Sequence, residues 1–269
     1  MNKFLKTLFL TFSFLLVLTF FFKLGPKAQK HSLDLKSLEK CEDSDNAVIL
    51  EAVKERLSSI KSLAATDIRI SIGRLKVKGY LYYEENNLRL IINSFLGKEM
   101  DIGSNDKFFW FWSRRMKPQA IYYCPHDHVY NTNLRPIFNR DWIMDCFVLS
   151  RCQEYDGKSS FFKKGKLLFK NQLKKVSEDE SVYLVTVIDT VGLNIVEKYI
   201  CDLDYCVLAC VEYSNFGSDH IPRSIKVDWY EENVYMNWEI SNLKINFQID
   251  ESVWEIPNHG PMVDMTKRN

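Results

Sequence analysis

The sequence predicts a mainly β, α+β fold: one strongly curled antiparallel sheet of about eleven strands, covered by an N-terminal helix and a midway helical insertion. Three observations lead there. The apolar period changes from 3.6 to 2 near Thr66 and stays near 2 for most of the remaining chain. Turn residues recur at hairpin spacing, with breaks at Gly73-Arg74, Glu85-Asn86-Asn87 and Phe95-Leu96-Gly97. Only two segments carry a helical pattern, and a sheet of about eleven strands cannot stay flat, so it curls toward a barrel whose face those helices cover.

The elements follow in order. Met1, Lys3 and Lys6 form a basic leader, and Leu8 to Phe22 then runs fifteen residues without a charge before Lys23 and Gly25-Pro26. That is the layout of a secretory signal. A full membrane span needs about 20 apolar residues, so the run is short for one. No small-x-small triplet follows Phe22, which leaves two outcomes open: a removed signal, or an uncleaved anchor that ties the chain to a bacterial membrane. Either way the basic end stays cytoplasmic and the rest is exported, soluble in the periplasm after cleavage or tethered to the inner membrane by residues 8–22. The expected division is a leader over 1–24, a charged spacer over 25–44, a single domain over 45–257 and a tail over 258–269 that trails over the surface.

Asp45-Asn46 caps a helix from Ala47 to about Leu63, with Val48, Ile49, Ala52, Val53, Leu57, Ile60 and Leu63 as its buried stripe. Strands follow around Ile68–Ile72, Val77–Tyr83 and Leu88–Ile92. Asp101 to Asp106 has the composition of a turn. Strands Lys107–Ser113 and Gln119–Tyr123 come next, then a short helix from Asn139 or Asp141 through Trp142, Ile143, Cys146 and Leu149. Six more strands fill Lys166–Lys170, Ser181–Asp189, Asn194–Ile200, Tyr205–Tyr213, Ser224–Glu231 and Asn237–Phe247.

Composition excludes one class of partner. With 36 basic and 35 acidic residues the formal net charge is +1, which gives no long-range attraction for nucleic acid. The seven cysteines are an odd number and form no C-x-x-C, so at least one thiol stays unpaired outside the cytoplasm. Cys206 and Cys210 would lie about 13 Å apart on one strand face, too far to bridge. Cys146 and Cys152 could pair. Charges at Glu39 and Lys40 argue against lipid attachment at Cys41.

Catalytic signals are lacking. There is no G-x-S-x-G, P-loop, G-x-G-x-x-G or H-E-x-x-H, so no enzyme activity and no cofactor are expected. Cys124, His126 and His128 offer three metal ligands in five residues, but no second paired His/Cys motif completes a zinc set. That cluster remains the weaker alternative to a polar loop leaving a strand. The aromatic run Phe108-Phe109-Trp110-Phe111-Trp112 is more informative, because both faces of that strand are aromatic and a half-exposed sheet needs only one. The strand lies between two apolar layers, or one face lines a cavity. Phe108, Trp110 and Trp112, with Ile70, Leu90 and Trp142, are the candidate cavity residues.

An export segment, a helix, a curled meander, a midway helical insertion and more strands together resemble the lipoprotein carriers of the LolA and LolB type. Gly97 to Trp112, Pro118 to Cys124, Asp141-Trp142 and the later Met236-Asn237-Trp238 with Leu243 to Asn246 look like segments of LolA-like proteins from planctomycete-type bacteria. The resemblance implies an unclosed β-barrel with a helical lid over an apolar cavity. It also implies binding of lipid acyl chains or a lipidated protein in the cell envelope, without chemistry. The chain lacks the lipobox of the membrane-anchored member. The competing reading is an envelope scaffold whose aromatic faces are core or a protein-binding surface.

Overall fold

The computed structural model describes residues 39–40, 44–126, 128, 146–147, 160–163, 165–170, 174–175, 181–230 and 234–267. The leader, most of the spacer, Trp142, Cys41, Cys152 and nearly all of the midway insertion lie outside them. Among the described residues no helix is long and apolar enough to cross a membrane.

One helix, α1 (Ser44–Ser58), precedes the meander β2 (Ser62–Ile72), β3 (Leu75–Glu84), β4 (Asn87–Ser94), β5 (Gly97–Ser104), β6 (Phe108–Ser113) and β7 (Ile121–Pro125). A second run follows: β8 (Ser160–Lys163), β9 (Lys166–Lys170), β10 (Lys174–Lys175), β11 (Ser181–Asp189), β12 (Asn194–Cys201), β13 (Val207–Phe216), β14 (Pro222–Trp229) and β15 (Val234–Ile245). A two-residue strand, β1 (Glu39–Lys40), pairs with β8, and β16 (Met262–Asp264) pairs in parallel with β7. The strand order is β1-β8-β9-β11-β12-β13-β14-β15-β2-β3-β4-β5-β6-β7-β16, with β10 beside β11. Among the described residues its two ends do not pair, so the sheet is unclosed, as expected.

The chain divides into two compact units. The first holds 61–142 and 240–269, and the second holds 26–60 and 143–239. In the second, Leu50 and Val53 bury one face of α1, and the Arg56 guanidinium donates to the carbonyl of Leu193. Its sheet carries a core cluster of Leu168, Val185, Val187, Cys201 and Val207, flanked by the stacked rings of Tyr183 and Tyr205, whose centroids lie 5.3 Å apart.

Three expectations change. The helix stops about five residues early, at Ser58: the hydroxyls of Ser58 and Ser59 bond the carbonyls of Glu55 and Arg56, which competes with helical continuation. Leu63 therefore sits in β2, and Val48, 68% exposed, is not on the buried stripe. Second, Asp101 to Ser104 is strand and not turn, because Asp101 and Gly103 find cross-strand partners in β4 and β6. With β5 and β8 added, the longer strands exceed the eleven expected. Third, the C-terminal segment does not trail: Trp254, Ile256 and His259 pack against the first unit before β16 joins its edge.

Candidate functional site

The pairing register of the first unit sorts its side chains onto two faces, since facing residues in a ladder point the same way. Ile68 and Ile70 of β2 oppose Gly79 and Val77 of β3, and Leu81 opposes Leu90 of β4. Leu90 opposes Ile102 of β5, Ile102 opposes Phe111 of β6, and Phe109 opposes Cys124 of β7. This is the Phe111 face. It crosses six strands without a charged side chain, and its central apolar members, Ile68, Ile70, Leu81, Leu90, Ile102, Phe109 and Phe111, are buried, while Ile92 and Met100 are half-buried.

The opposite, Trp110 face is built differently. Trp110 opposes Gly103, and a Cβ on Gly103 would lie 2.0 Å from the Trp110 ring, so only glycine lets the indole lie across β5. Trp110, Trp112 and Ile121 form a cluster joined by Tyr123 and Ile256. Phe108 meets Tyr123 edge-on at 5.5 Å. Beside them is a buried ionic group. The Asp101 carboxylate, with no exposed side-chain area, accepts from Arg89 Nε at 3.1 Å, Arg89 Nη2 at 3.0 Å and Lys98 Nζ at 2.9 Å. Burial alone would raise the Asp101 pKa, but the bonds and charges of Arg89 and Lys98 outweigh it and hold the carboxyl below 3.8.

That group also fastens the C-terminal segment. Arg89 Nη1 donates to the Val253 carbonyl at 2.7 Å, and Asn105 Nδ2 donates to the Trp254 carbonyl at 3.1 Å. Lys98 Nζ lies 3.0 Å from His259 Nε2, whose ring packs on Trp112 with centroids 4.8 Å apart.

Five of the six candidate cavity residues lie among the described residues, and the register divides them between the two faces. Ile70 and Leu90 stand on the Phe111 face. Phe108, Trp110 and Trp112 stand on the other face, Trp110 and Trp112 beneath the C-terminal segment. Trp142 lies outside the described residues. Alternation within one strand identifies two faces but not which face a distant strand shares, and that needed the register. Phe109, Phe111 and Ile102 are the residues the register adds beside Ile70 and Leu90.

The Cys124 group is also dispersed. Cys124 is fully buried on the Phe111 face, opposite Phe109. His126 Nε2 lies 2.6 Å from the Asn105 carbonyl, so that nitrogen carries a donated proton. His128 is exposed. Among the described residues no three His, Cys, Asp or Glu are arranged to hold a metal. In the second unit, burial, with Asp202 and Cys206 nearby, pushes the Cys201 thiol up to about 12; burial and Glu212 push Cys210 to about 12. Neither is an activated nucleophile.

Solved structures are similar to this chain in fold. A DUF1329 family protein from Desulfovibrio piger aligns with a TM-score of 0.54 at 12% identity, over 78% of this chain and 96% of its own. Its fold is the fold of this chain. A putative outer membrane lipoprotein-sorting protein domain from Vibrio parahaemolyticus aligns at 0.49, with 10% identity over 78% of this chain and 97% of its own. A LolA superfamily protein from Nitrosomonas europaea aligns at 0.43, with 10% identity over 77% and 97%. No family model and no curated protein matches the sequence. The unclosed sheet is the one expected from the sequence, and nothing in these likenesses bears on the narrower resemblance to planctomycete proteins.

Proposed function

We propose that the chain binds lipid acyl chains, free or attached to a protein, and carries or receives them in the cell envelope without catalysing a reaction. The observation that carries this reading is the Phe111 face: an uncharged, apolar surface across six adjacent strands of an unclosed sheet. Moving a methylene from water to such a surface contributes about 0.8 kcal/mol, so an acyl chain binds tightly without any ionic contact. Ile70 and Leu90, with Ile102 and Phe111, are the residues assigned to that surface. The apolar run 8–22 would deliver the chain to the envelope and, if retained, hold it at the inner membrane.

The test is lipid extraction and mass spectrometry of the purified full chain, followed by titration with a fluorescent acyl probe. Co-purified acyl lipid and saturable probe binding are expected, both reduced in Leu90→Asp. Should the folded chain carry no lipid and bind no probe, the acyl reading fails and the Phe111 face is core, as the scaffold reading holds.

A further inference from the structure

The meander of the first unit is polarised along its strands. β2 ends at Ile72 and β3 starts at Leu75, β4 ends at Ser94 and β5 starts at Gly97, and β6 ends at Ser113 and β7 starts at Ile121. The antiparallel ladders between them set these three connections at one end of the sheet. Phe95 and Leu96 form the tip of the middle one and are 94% and 57% exposed. Polar bonds hold the tip in that exposed position. The Leu96 amide donates to Ser94 Oγ at 3.1 Å, and Arg114 Nη1 donates to the Leu96 carbonyl at 2.6 Å. Ser94 Oγ donates in turn to Glu99 Oε1 at 2.6 Å, and Gly97 closes the turn with φ at 107°.

Cations surround the tip. Residues 72–78, 94–99 and 113–119 carry seven basic side chains and one acidic one, Glu99. Lys98 is taken up by Asp101, and Arg115 Nε lies 3.2 Å from Glu99 Oε2. Arg74, Lys76, Lys78, Arg114 and Lys117 are exposed. The other end of the meander is nearly balanced, with Glu84, Glu85 and Asp106 against Lys61 and Lys107. The Phe111 face also opens toward the tip: Ile72, Leu75, Ile92 and Met100 are half-buried there, whereas Leu81, Leu90 and Ile102 are buried.

We propose that this end docks the chain on an anionic phospholipid surface. Phe95 and Leu96 enter the boundary between headgroups and acyl chains, and Arg74, Lys76, Lys78, Arg114 and Lys117 meet the phosphates. Charge complementarity and shape select this occupant. A convex tip of two apolar side chains enters a fluid boundary without a matched pocket, whereas a folded acidic partner needs a complementary face of about 800 Å². Docking requires no ligand on the Phe111 face and stands apart from the acyl-binding reading. It also sets Ile92 and Met100 nearest the lipid.

The test is co-flotation of the full chain with vesicles of phosphatidylcholine and phosphatidylglycerol at roughly 7:3, against phosphatidylcholine alone. Wild type is expected to prefer the anionic vesicles and to lose that preference as salt rises from about 0.1 to about 1 M. Each basic residue at the headgroups contributes about fivefold, so Lys76→Glu with Lys117→Glu should lower the partition at least about 25-fold. Phe95→Ser with Leu96→Ser should lower it about tenfold without a change in melting temperature. Val191→Ser, which alters a side chain 90% exposed in the second unit, should leave it unchanged. Partition through residues 8–22 is common to all variants, so amide hydrogen exchange supplies a local reading: peptides spanning Phe95 should slow on the anionic vesicles. Equal flotation of wild type and both double variants, or exchange at Phe95 as fast on vesicles as in solution, overturns the docking site whether or not the chain binds an acyl probe.

Discussion

Replacing Asp101 with asparagine keeps its shape and removes its charge, which leaves the Arg89 guanidinium buried without a counter-ion. The magnitude follows from the geometry. Asp101 has no exposed side-chain area and the Arg89 side chain is 11% exposed, whereas Lys98 is 29% exposed and can turn to water once released. Breaking a buried pair by removing one partner destabilises by about 3–5 kcal/mol, and the freedom of Lys98 places this case near 3. At roughly 2–4 °C per kcal/mol for a domain of this size, the melting temperature should fall by about 6–12 °C at neutral pH. The assay is thermal unfolding followed by circular dichroism. The pH dependence supplies a second reading. The folded carboxyl titrates below its unfolded value of about 3.9, so its stabilisation is complete above that value and is lost as pH falls through the folded one. The gap between wild type and Asp101→Asn should stay constant from pH 8 to about pH 5 and close below about pH 4. The double variant Arg89→Met, Asp101→Leu removes both charges and should lose less than Asp101→Asn alone. A single variant that costs under about 1 kcal/mol, or a gap that widens in acid, would refute the account of this buried group.

The remaining expectations concern packing and thiols. Gly103→Ala drives a methyl into the Trp110 ring, 2.0 Å from its nearest atom, and overpacking of this kind destabilises by about 1–3 kcal/mol; a near-ultraviolet circular dichroism spectrum and melting point identical to wild type would show that the indole does not lie across β5. Trp254→Ala removes a side chain that is 8% exposed from the segment fastened to Arg89 and Asn105, with a loss of about 3–5 kcal/mol and early cleavage near 250–261 under limited proteolysis. Unchanged protection there would mean the segment is held elsewhere. Cys201 and Cys210, both pushed to about 12, should resist iodoacetamide in the folded chain at pH 8, where about one thiol in ten thousand is ionised, and react only on unfolding. Mass spectrometry of the labelled peptides reads this directly, and comparable labelling before and after denaturation counts against the buried placement.

The legible part of the fold is the part written in local patterns. Alternation marked β2, β3 and β4 because their apolar residues face one way and their polar residues the other, and the turns at Gly73 and Glu85-Asn86 carry the positive φ that their positions require. β5 was illegible for the opposite reason. Asp101 and Gly103 have turn chemistry when read alone, and they become strand residues only because Arg89 supplies the charge and Trp110 fills the space, both from other strands. The grouping of the candidate site residues was illegible for the same reason. Phe108, Trp110 and Trp112 were rightly grouped on one face of β6, yet joining them to Ile70 and Leu90 required a register across four ladders, and a shift of one residue in any of them exchanges the faces. The register that the structure supplies puts Phe111, not Trp110, in line with Leu90. It gives the two aromatic layers separate work: the tryptophans fasten the C-terminal segment around a buried ion pair, and the phenylalanines continue an uncharged surface. A rigid, polar-pinned layer behind that surface would suit the proposed acyl site, because the strands that carry Ile102 and Phe111 are held from the opposite face.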